Sequence, residues 1–181
     1  MPRPVMIRAE QTEDALGIRR VLLAAFPTPD ESELVDDLRA AGRLMISLVA
    51  MAAEDLVGHI AFSPVTLGSV SGGVGLAPLA VTPDHQRRGI GSALVRAGLE
   101  ASRAGGASFV VVLGDPGYYG RFGFQPASRW HLTDDYHGGE AFQAVVFRPE
   151  GLSARGGRVH YAPEFARFGP NESPGESVGT D

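Results

Sequence analysis

Residues 79–104 read L-A-V-T-P-D-H-Q-R-R-G-I-G-S-A-L-V-R-A-G-L-E-A-S-R-A, and this stretch decides the fold. An apolar strand ending at Val81 leads through a polar bend to Gly89 and Gly91, and a segment with helical periodicity follows. In such a turn, the backbone N–H groups of residues 87–92 meet the positive end of a helix, where unpaired amides and the helix dipole both favour an anion. Glycine has no Cβ, so it lets the backbone approach a ligand closely. The stretch therefore predicts a strand, an anion-binding turn and a helix, with a phosphate or pyrophosphate as the ligand.

Two common phosphate motifs do not fit this turn. The dinucleotide-binding fingerprint requires a third small residue at the position that Leu94 occupies, and the P-loop ends in Gly-Lys-Ser/Thr, which is absent here. Taken alone, Gly89 and Gly91 are also compatible with a tight turn that binds no ligand. The interpretation of the turn therefore depends on the sequence on either side of it.

The composition indicates one globular domain. The chain has 181 residues, of which 44% are hydrophobic and 20% charged, with a formal net charge of −5. This acidic balance argues against nucleic-acid partners and anionic membranes, and no apolar run approaches the roughly 18 residues of a membrane span. The absence of cysteine excludes disulfides, thiolate metal sites and a cysteine nucleophile, and it suits a reducing cytoplasm. We expect a cytoplasmic protein that needs no metal.

The hydrophobic pattern predicts an α/β fold with strands and helices in a mixed order. We expect strands at residues 5–9, 44–52, 56–65, 74–81, 108–113, 130–133 and 142–147, a short edge strand at 159–161, and helices at residues 12–26, 30–42 and 90–104. A capping box of Asp30 and Glu33 is expected to open the second helix. Pro78 lies inside a predicted strand and cannot donate to a ladder, which indicates a bulge or a parting of strands at that point.

Three motifs resemble one enzyme family. The segment V-T-P-D-H-Q-R-R-G-I-G closely resembles the acetyl-CoA-binding motif of the GNAT N-acetyltransferase superfamily. The segment Y-G-R-F-G-F at residues 119–124 is similar to the Y-x-x-x-G-F segment that follows the fifth strand in this superfamily, and G-L-A-P-L-A-V and G-D-P-G-Y-Y resemble one bacterial branch of predicted acetyltransferases. The resemblance covers residues 5–165. It implies a mixed sheet with antiparallel N-terminal strands, a central parallel strand–helix–strand unit whose strands splay apart, and helices on both faces. The single domain would span residues 1–168, with a disordered tail at residues 169–181.

The resemblance also assigns the cofactor site. Acetyl-CoA would place its pyrophosphate on the turn and its pantetheine arm along the preceding strand. The residues implied are Arg87, Arg88, Gly89, Ile90, Gly91 and Ser92 for the pyrophosphate, and Leu79, Ala80 and Val81 for the pantetheine. The Val81 N–H could then act as the oxyanion donor to the thioester carbonyl.

Tyr119 matches the family's tyrosine that protonates the departing thiolate. The alternative for Tyr119 is an aromatic ring packed beneath the cofactor, and the neighbouring Tyr118 is the nearest competitor for the acid role.

The general base is not evident from the sequence. Many family members carry a glutamate early in the fourth strand or late in the fifth, and this chain has Gly75 and the apolar residues 112–114 at those positions. Asp115 stands at the correct end of the sheet, although helix capping also explains it. His59 has a suitable intrinsic pKa, but a lone histidine in an apolar strand is more often a core residue.

Three loop residues, Glu33, His137 and Glu140, could instead line the acceptor site, or they could simply be solvated. A water chain and a substrate that arrives neutral are further alternatives for the missing base.

The leading functional expectation is an acetyl-CoA-dependent N-acetyltransferase that acts on a primary amine as a monomer or homodimer. The acidic composition favours cationic acceptors. Two alternatives stay open at this point: a non-catalytic acyl-CoA sensor, and a transferase that uses a larger acyl donor.

Overall fold

Nine strands form one mixed sheet in the computed structural model, which describes residues 4–169. The strands are β1 (Val5–Ala9), β2 (Ile46–Ala52), β3 (Asp55–Leu67), β4 (Val70–Val81), β5 (Phe109–Leu113), β6 (Gln125–Pro126), β7 (Leu132–Asp134), β8 (Phe142–Val146) and β9 (Gly157–His160). The helices are α1 (Ala15–Ala25), α2 (Asp30–Ala40), α3 (Ile90–Ala104) and α4 (Pro116–Tyr119). The strand order is β1-β2-β3-β4-β5-β8-β6, and β9 joins β3 to β7. The first four strands are antiparallel, whereas β4 and β5 are parallel, as the sequence predicts.

β4 changes its pairing along its length. Its first part pairs with β5 from Gly73, opposite Phe109, to Gly75, opposite Val111, and this pairing then stops. Its second part continues along β3 as far as Val81. The two parallel strands therefore separate beyond Gly75, which confirms the splayed central unit.

The β3–β4 ladder contains the irregularity that Pro78 predicts. Ile60 lies opposite Leu79 and Phe62 lies opposite Leu76, so that Ala77 and Pro78 share the space opposite one residue of β3. An extra residue of this kind bends the strand and increases its twist.

Helices cover both faces of the sheet. On one face, the buried side of α3 packs on the strands through Leu94 and Val95. Gly98 allows this close contact, since a Cβ there would lie 2.4 Å from the Phe62 ring. On the other face, α1 and α2 form a hairpin whose apolar side chains pack with Val49, Ala61 and Ala80 in one cluster and with Ala77 in another.

Several local predictions near the ends of elements are wrong. Asp30 is the first residue of α2 and no side chain caps that helix, so the expected capping box is absent. The chain forms a 3₁₀ turn as far as Trp130, and the seventh strand begins only at Leu132. β9 is not an edge strand, because it lies between β3 and β7 and buries Val159. Apart from Gly169, the tail predicted at residues 169–181 lies outside the described residues. Within residues 4–169, no helix is long and apolar enough to cross a membrane.

Candidate active site

The turn between β4 and α3 presents the N-terminus of a 15-residue helix. Arg87 and Gly89 adopt positive φ values of 58° and 78°, and α3 begins at Ile90. The first N–H groups of a helix have no intrahelical acceptor and lie at the positive end of its dipole. Arg87, Arg88 and Gly89 are exposed, whereas Ile90, Gly91 and Ser92 are buried where the helix meets the sheet. The turn thus has the geometry of an anion-binding site with both arginine side chains at its rim.

At the end of β4, some backbone N–H and carbonyl groups point away from β3. The Thr82 N–H donates to the Val57 carbonyl at 2.9 Å, and hydrogen-bonded and non-hydrogen-bonded pairs alternate along an antiparallel ladder. Val81, one residue earlier and opposite Gly58, therefore directs its N–H toward the side from which β5 has separated. In agreement, its carbonyl accepts a hydrogen bond of 3.0 Å from the Gln86 side chain on that side.

Leu79 shares the orientation of Val81, since the two residues are two positions apart along the strand. Ala80 lies opposite His59 and directs its backbone groups to β3. The gap between β4 and β5 is therefore lined by peptide groups of Leu79 and Val81 and not by those of Ala80.

Tyr119 lies in the same apolar cluster as Val81 and Ile90. Its side chain is 1% exposed, and its ring meets Phe124 edge to face at 5.5 Å between centroids. Tyr118 is half-buried against the same cluster, and the Arg121 guanidinium lies 4.6 Å from its ring centroid. Both tyrosines thus pack in the apolar cluster that includes the end of β4, and Tyr119 is the more deeply buried of the two.

Asp115 caps the short helix α4. Its carboxylate accepts the Gly117 N–H at 3.0 Å, and its carbonyl accepts the N–H groups of Tyr118 and Tyr119. Pro116 occupies the first helical position. The side chain is exposed and serves to hold α4 in place.

His59 is completely buried and belongs to a polar chain on the α1–α2 side. The Ser47 hydroxyl donates its single proton to Glu10, so the His59 Nε2–H donates to Ser47 at 2.8 Å. Burial, together with the charge of Arg39, lowers the pKa of His59 to about 3. His59 is therefore neutral at physiological pH.

The three further acceptor-site candidates lie in different places, and Glu33 belongs to α2 and not to a loop. Glu33 is exposed and accepts a hydrogen bond of 2.9 Å from Arg167. His137 and Glu140 line a cavity of about 560 Å³ together with Asp134 and Arg158. The structure thus separates Glu33 from the other two residues.

Glu31 is a buried carboxylate that the sequence interpretation missed. It is 7% exposed, and its Oε2 atom is buried with no hydrogen-bond partner. Burial raises its pKa, its own backbone N–H opposes that rise, and the nearby charge of Asp30 adds to it. The available signal was its spacing, because Glu31 precedes Leu34 and Val35 by three and four residues on the apolar face of α2.

Comparison with known proteins assigns the family. Residues 6–127 match the family model of the acetyltransferase (GNAT) domain. This chain belongs to the GNAT acetyltransferase family. The family membership and the acyltransferase class predicted from the sequence are therefore confirmed.

Individual GNAT relatives match over nearly the whole chain. An uncharacterized N-acetyltransferase of Escherichia coli K12, YhbS, is 40% identical over 167 residues, which is 91% of this chain and 100% of the relative. The crystal structure of YhbS in complex with CoA has a TM-score of 0.87 at 37% identity and covers 94% of this chain and 96% of that one. A GNAT family acetyltransferase from Brucella melitensis in complex with acetyl-CoA has a TM-score of 0.77 at 40% identity, covering 90% and 99%.

Proposed function

We propose that this protein transfers the acetyl group of acetyl-CoA to a primary amine by direct attack of the amine on the thioester. The observation that carries the proposal is the separation of β4 from β5 beyond Gly75, next to the N-terminus of α3. This arrangement offers a strand edge and an anion-binding turn to one extended ligand. The CoA and acetyl-CoA held by the two relatives have that shape and charge.

In this proposal, the cofactor is held mainly by backbone groups. The pyrophosphate binds the amides of residues 87–92, with added charge from Arg87 and Arg88. The pantetheine arm pairs with the strand edge at residues 79–81, chiefly through the outward peptide groups of Leu79 and Val81. Binding through the backbone explains why Gly89 matters, since a Cβ there would face the ligand with φ at 78°.

Val81 and Tyr119 would stabilise the charges that develop during acyl transfer. The Val81 N–H donates to the carbonyl oxygen as the tetrahedral intermediate forms. The departing thiolate, whose thiol has a pKa of about 8.5, takes a proton from the Tyr119 hydroxyl. Asp115 is less suited to act as the base, because its carboxylate already accepts the Gly117 N–H.

Release of CoA thiol from acetyl-CoA, measured over a panel of primary amines together with calorimetric binding of acetyl-CoA, tests the function. We expect micromolar binding and turnover of at least one amine. Tight binding with no turnover would favour the sensor, and absence of binding would overturn the cofactor site. A series of longer acyl-CoA donors tests the acyl preference. A larger kcat/KM with a longer chain than with acetyl-CoA would show that the longer acyl-CoA is the preferred donor.

The location and the assembly stay predictions. The cysteine-free composition supports a cytoplasmic location. A sedimentation measurement distinguishes the monomer from the homodimer.

A further inference from the structure

Glu31 lies in the first turn of α2, at one end of the α1–α2 hairpin. The opposite end of this hairpin, which contains Ala15 and Arg39, lines a cavity beside Ala9 and Ser47 at the β1–β2 side of the sheet. Glu31 therefore lies at the end of the hairpin away from this cavity.

The buried face of α2, which carries Glu31, packs in two clusters that include residues of β4. Leu34 packs in one cluster with Ala77, and Val35 packs in another with Ala80. Both residues of β4 belong to the part of the strand that has left β5. Glu31 lies one helical turn before Leu34 and Val35 on the same face of α2, which is the face that packs in clusters with this part of β4.

The carboxylate has no cationic partner in the protein. Within the described residues no side chain bonds to Glu31, and the charge that most affects it is the like charge of Asp30. The hydroxyl of the next residue, Ser32, is also buried with no hydrogen-bond partner. Buried polar groups are nearly always hydrogen-bonded, so the buried Oε2 atom without a partner points to a ligand that supplies the missing donor.

We propose that Glu31 binds the ammonium group of the acceptor amine and removes its proton. This inference rests on the proposed function and adds the residue that binds the acceptor ammonium and acts as the base. An alkylammonium of pKa about 10.4 must lose a proton before it can attack. The ammonium proton passes to the Glu31 carboxylate, the amine nitrogen forms a bond to the acyl carbon, and the carbon–sulfur bond breaks. The thiolate takes the proton of the Tyr119 hydroxyl, and the second proton of the acylated nitrogen restores that hydroxyl through solvent as the amide forms. Glu31 then releases its own proton to solvent.

The decisive variant is Glu31→Gln, which keeps the size of the side chain and removes the charge. Its matched control is Glu33→Gln, two residues away on the exposed side of α2. With n-butylamine, 1,5-diaminopentane and phenethylamine as probes, Glu31→Gln should lower kcat/KM at least 100-fold and Glu33→Gln less than 2-fold. Both variants should keep the wild-type affinity for acetyl-CoA, which shows that the fold and the cofactor site are intact. Glu31→Asp should recover part of the activity.

The outcomes separate this inference from the proposed function. Failure of the wild type to bind acetyl-CoA rejects the function itself. Wild-type kcat/KM in Glu31→Gln overturns the role of Glu31 and leaves the function standing. If the wild type turns over none of the three probes, calorimetry of each amine with the CoA-loaded protein decides. Binding that is lost in Glu31→Gln supports the inference, whereas equal binding or no binding overturns it.

Discussion

The ring of Tyr161 lies directly against Gly75. A Cβ on residue 75 would come within 2.7 Å of Tyr161 Cε1 and 3.1 Å of a Val65 methyl group. Position 75 therefore has no room for a side chain. The glutamate that many family members carry early in this strand would not fit here, because the Tyr161 ring fills the space beside Gly75.

This contact predicts that Gly75→Ala destabilises the protein. Overpacking in a core costs about 1–3 kcal/mol in the free energy of unfolding. In a Tyr161→Ala background, the same change should cost about 1 kcal/mol less, because the clash is removed. Urea unfolding of the single and double variants measures both values. Gly120→Ala is the control, since a Cβ there meets nothing within 4 Å, and strictly additive effects at 75 and 161 would contradict the contact.

Gly89→Val should weaken binding of acetyl-CoA. A left-handed residue with a Cβ costs about 1–2 kcal/mol, and valine would also face the pyrophosphate. Gly106→Val is a closely matched control, because Gly106 has φ of 88° and open space at the other end of α3. We expect both variants to lose similar stability and only Gly89→Val to lose affinity in calorimetry. Equal affinity in the two variants would remove the turn from the cofactor site.

Tyr119→Phe should lower kcat about 100-fold with little change in the affinity for acetyl-CoA. The hydroxyl supplies the proton to the departing thiolate, and general acids typically contribute about 10²–10⁴-fold. Steady-state thiol release and calorimetry measure the two quantities. Tyr118→Phe is the control, and a larger loss of kcat in that variant would transfer the acid role to Tyr118.

Asp14→Asn should destabilise the protein at pH 7 and much less at pH 3. Asp14 is 8% exposed and accepts hydrogen bonds of 2.6 and 2.9 Å from Arg8, which lower its pKa. A lowered pKa gives stability that is present above the unfolded-state value and is lost as the pH falls through the folded-state value. Hydrogen bonds to charged groups contribute about 1.5–3 kcal/mol. Urea unfolding at both pH values tests this, with the more exposed Asp36→Asn as a control that should change stability by less than about 1 kcal/mol.

The effect of Glu31→Gln on the free energy of unfolding should depend on pH in the opposite direction. The pKa of Glu31 is raised, so its ionisation opposes folding. The resulting loss of stability grows as the pH rises from the unfolded-state pKa toward the folded-state pKa. The variant should be about 1 kcal/mol more stable than the wild type at pH 7, and this advantage should shrink by pH 4. A variant that is less stable at pH 7 would show that the Glu31 carboxylate is satisfied in the free protein.

Local signals predicted the backbone geometry around the proposed cofactor site. Gly89, Pro78 and the pair Asp115 and Pro116 each restrict the backbone or cap a helix within a few residues, so their effects could be predicted from neighbouring residues. The role of Tyr119 comes from the family resemblance and stays a prediction.

The acceptor side could not be predicted in this way, because it depends on contacts between distant segments. Glu31 resembles an ordinary acidic residue of a helix start until α2 is placed on β4. Glu33, which the sequence suggested as a cap and as an acceptor residue, binds Arg167 instead. β9 gave only a weak strand signal, and its place between β3 and β7 follows from packing of the whole sheet.

Two ion pairs join α2 and the segment that follows it to residues that are synthesised much later. Arg167 binds Glu33 across 134 positions of sequence, and Arg43 binds Glu164 across 121. During synthesis, Leu34 and Leu38 therefore cannot complete their cluster until the 3₁₀ turn Pro163–Arg167 has been made, because this turn supplies Phe165. Contacts of such long range slow folding. A nascent chain that ends before this turn leaves one face of α2 uncovered. The layer that α1 and α2 form on the sheet is therefore complete only after this late segment has been translated.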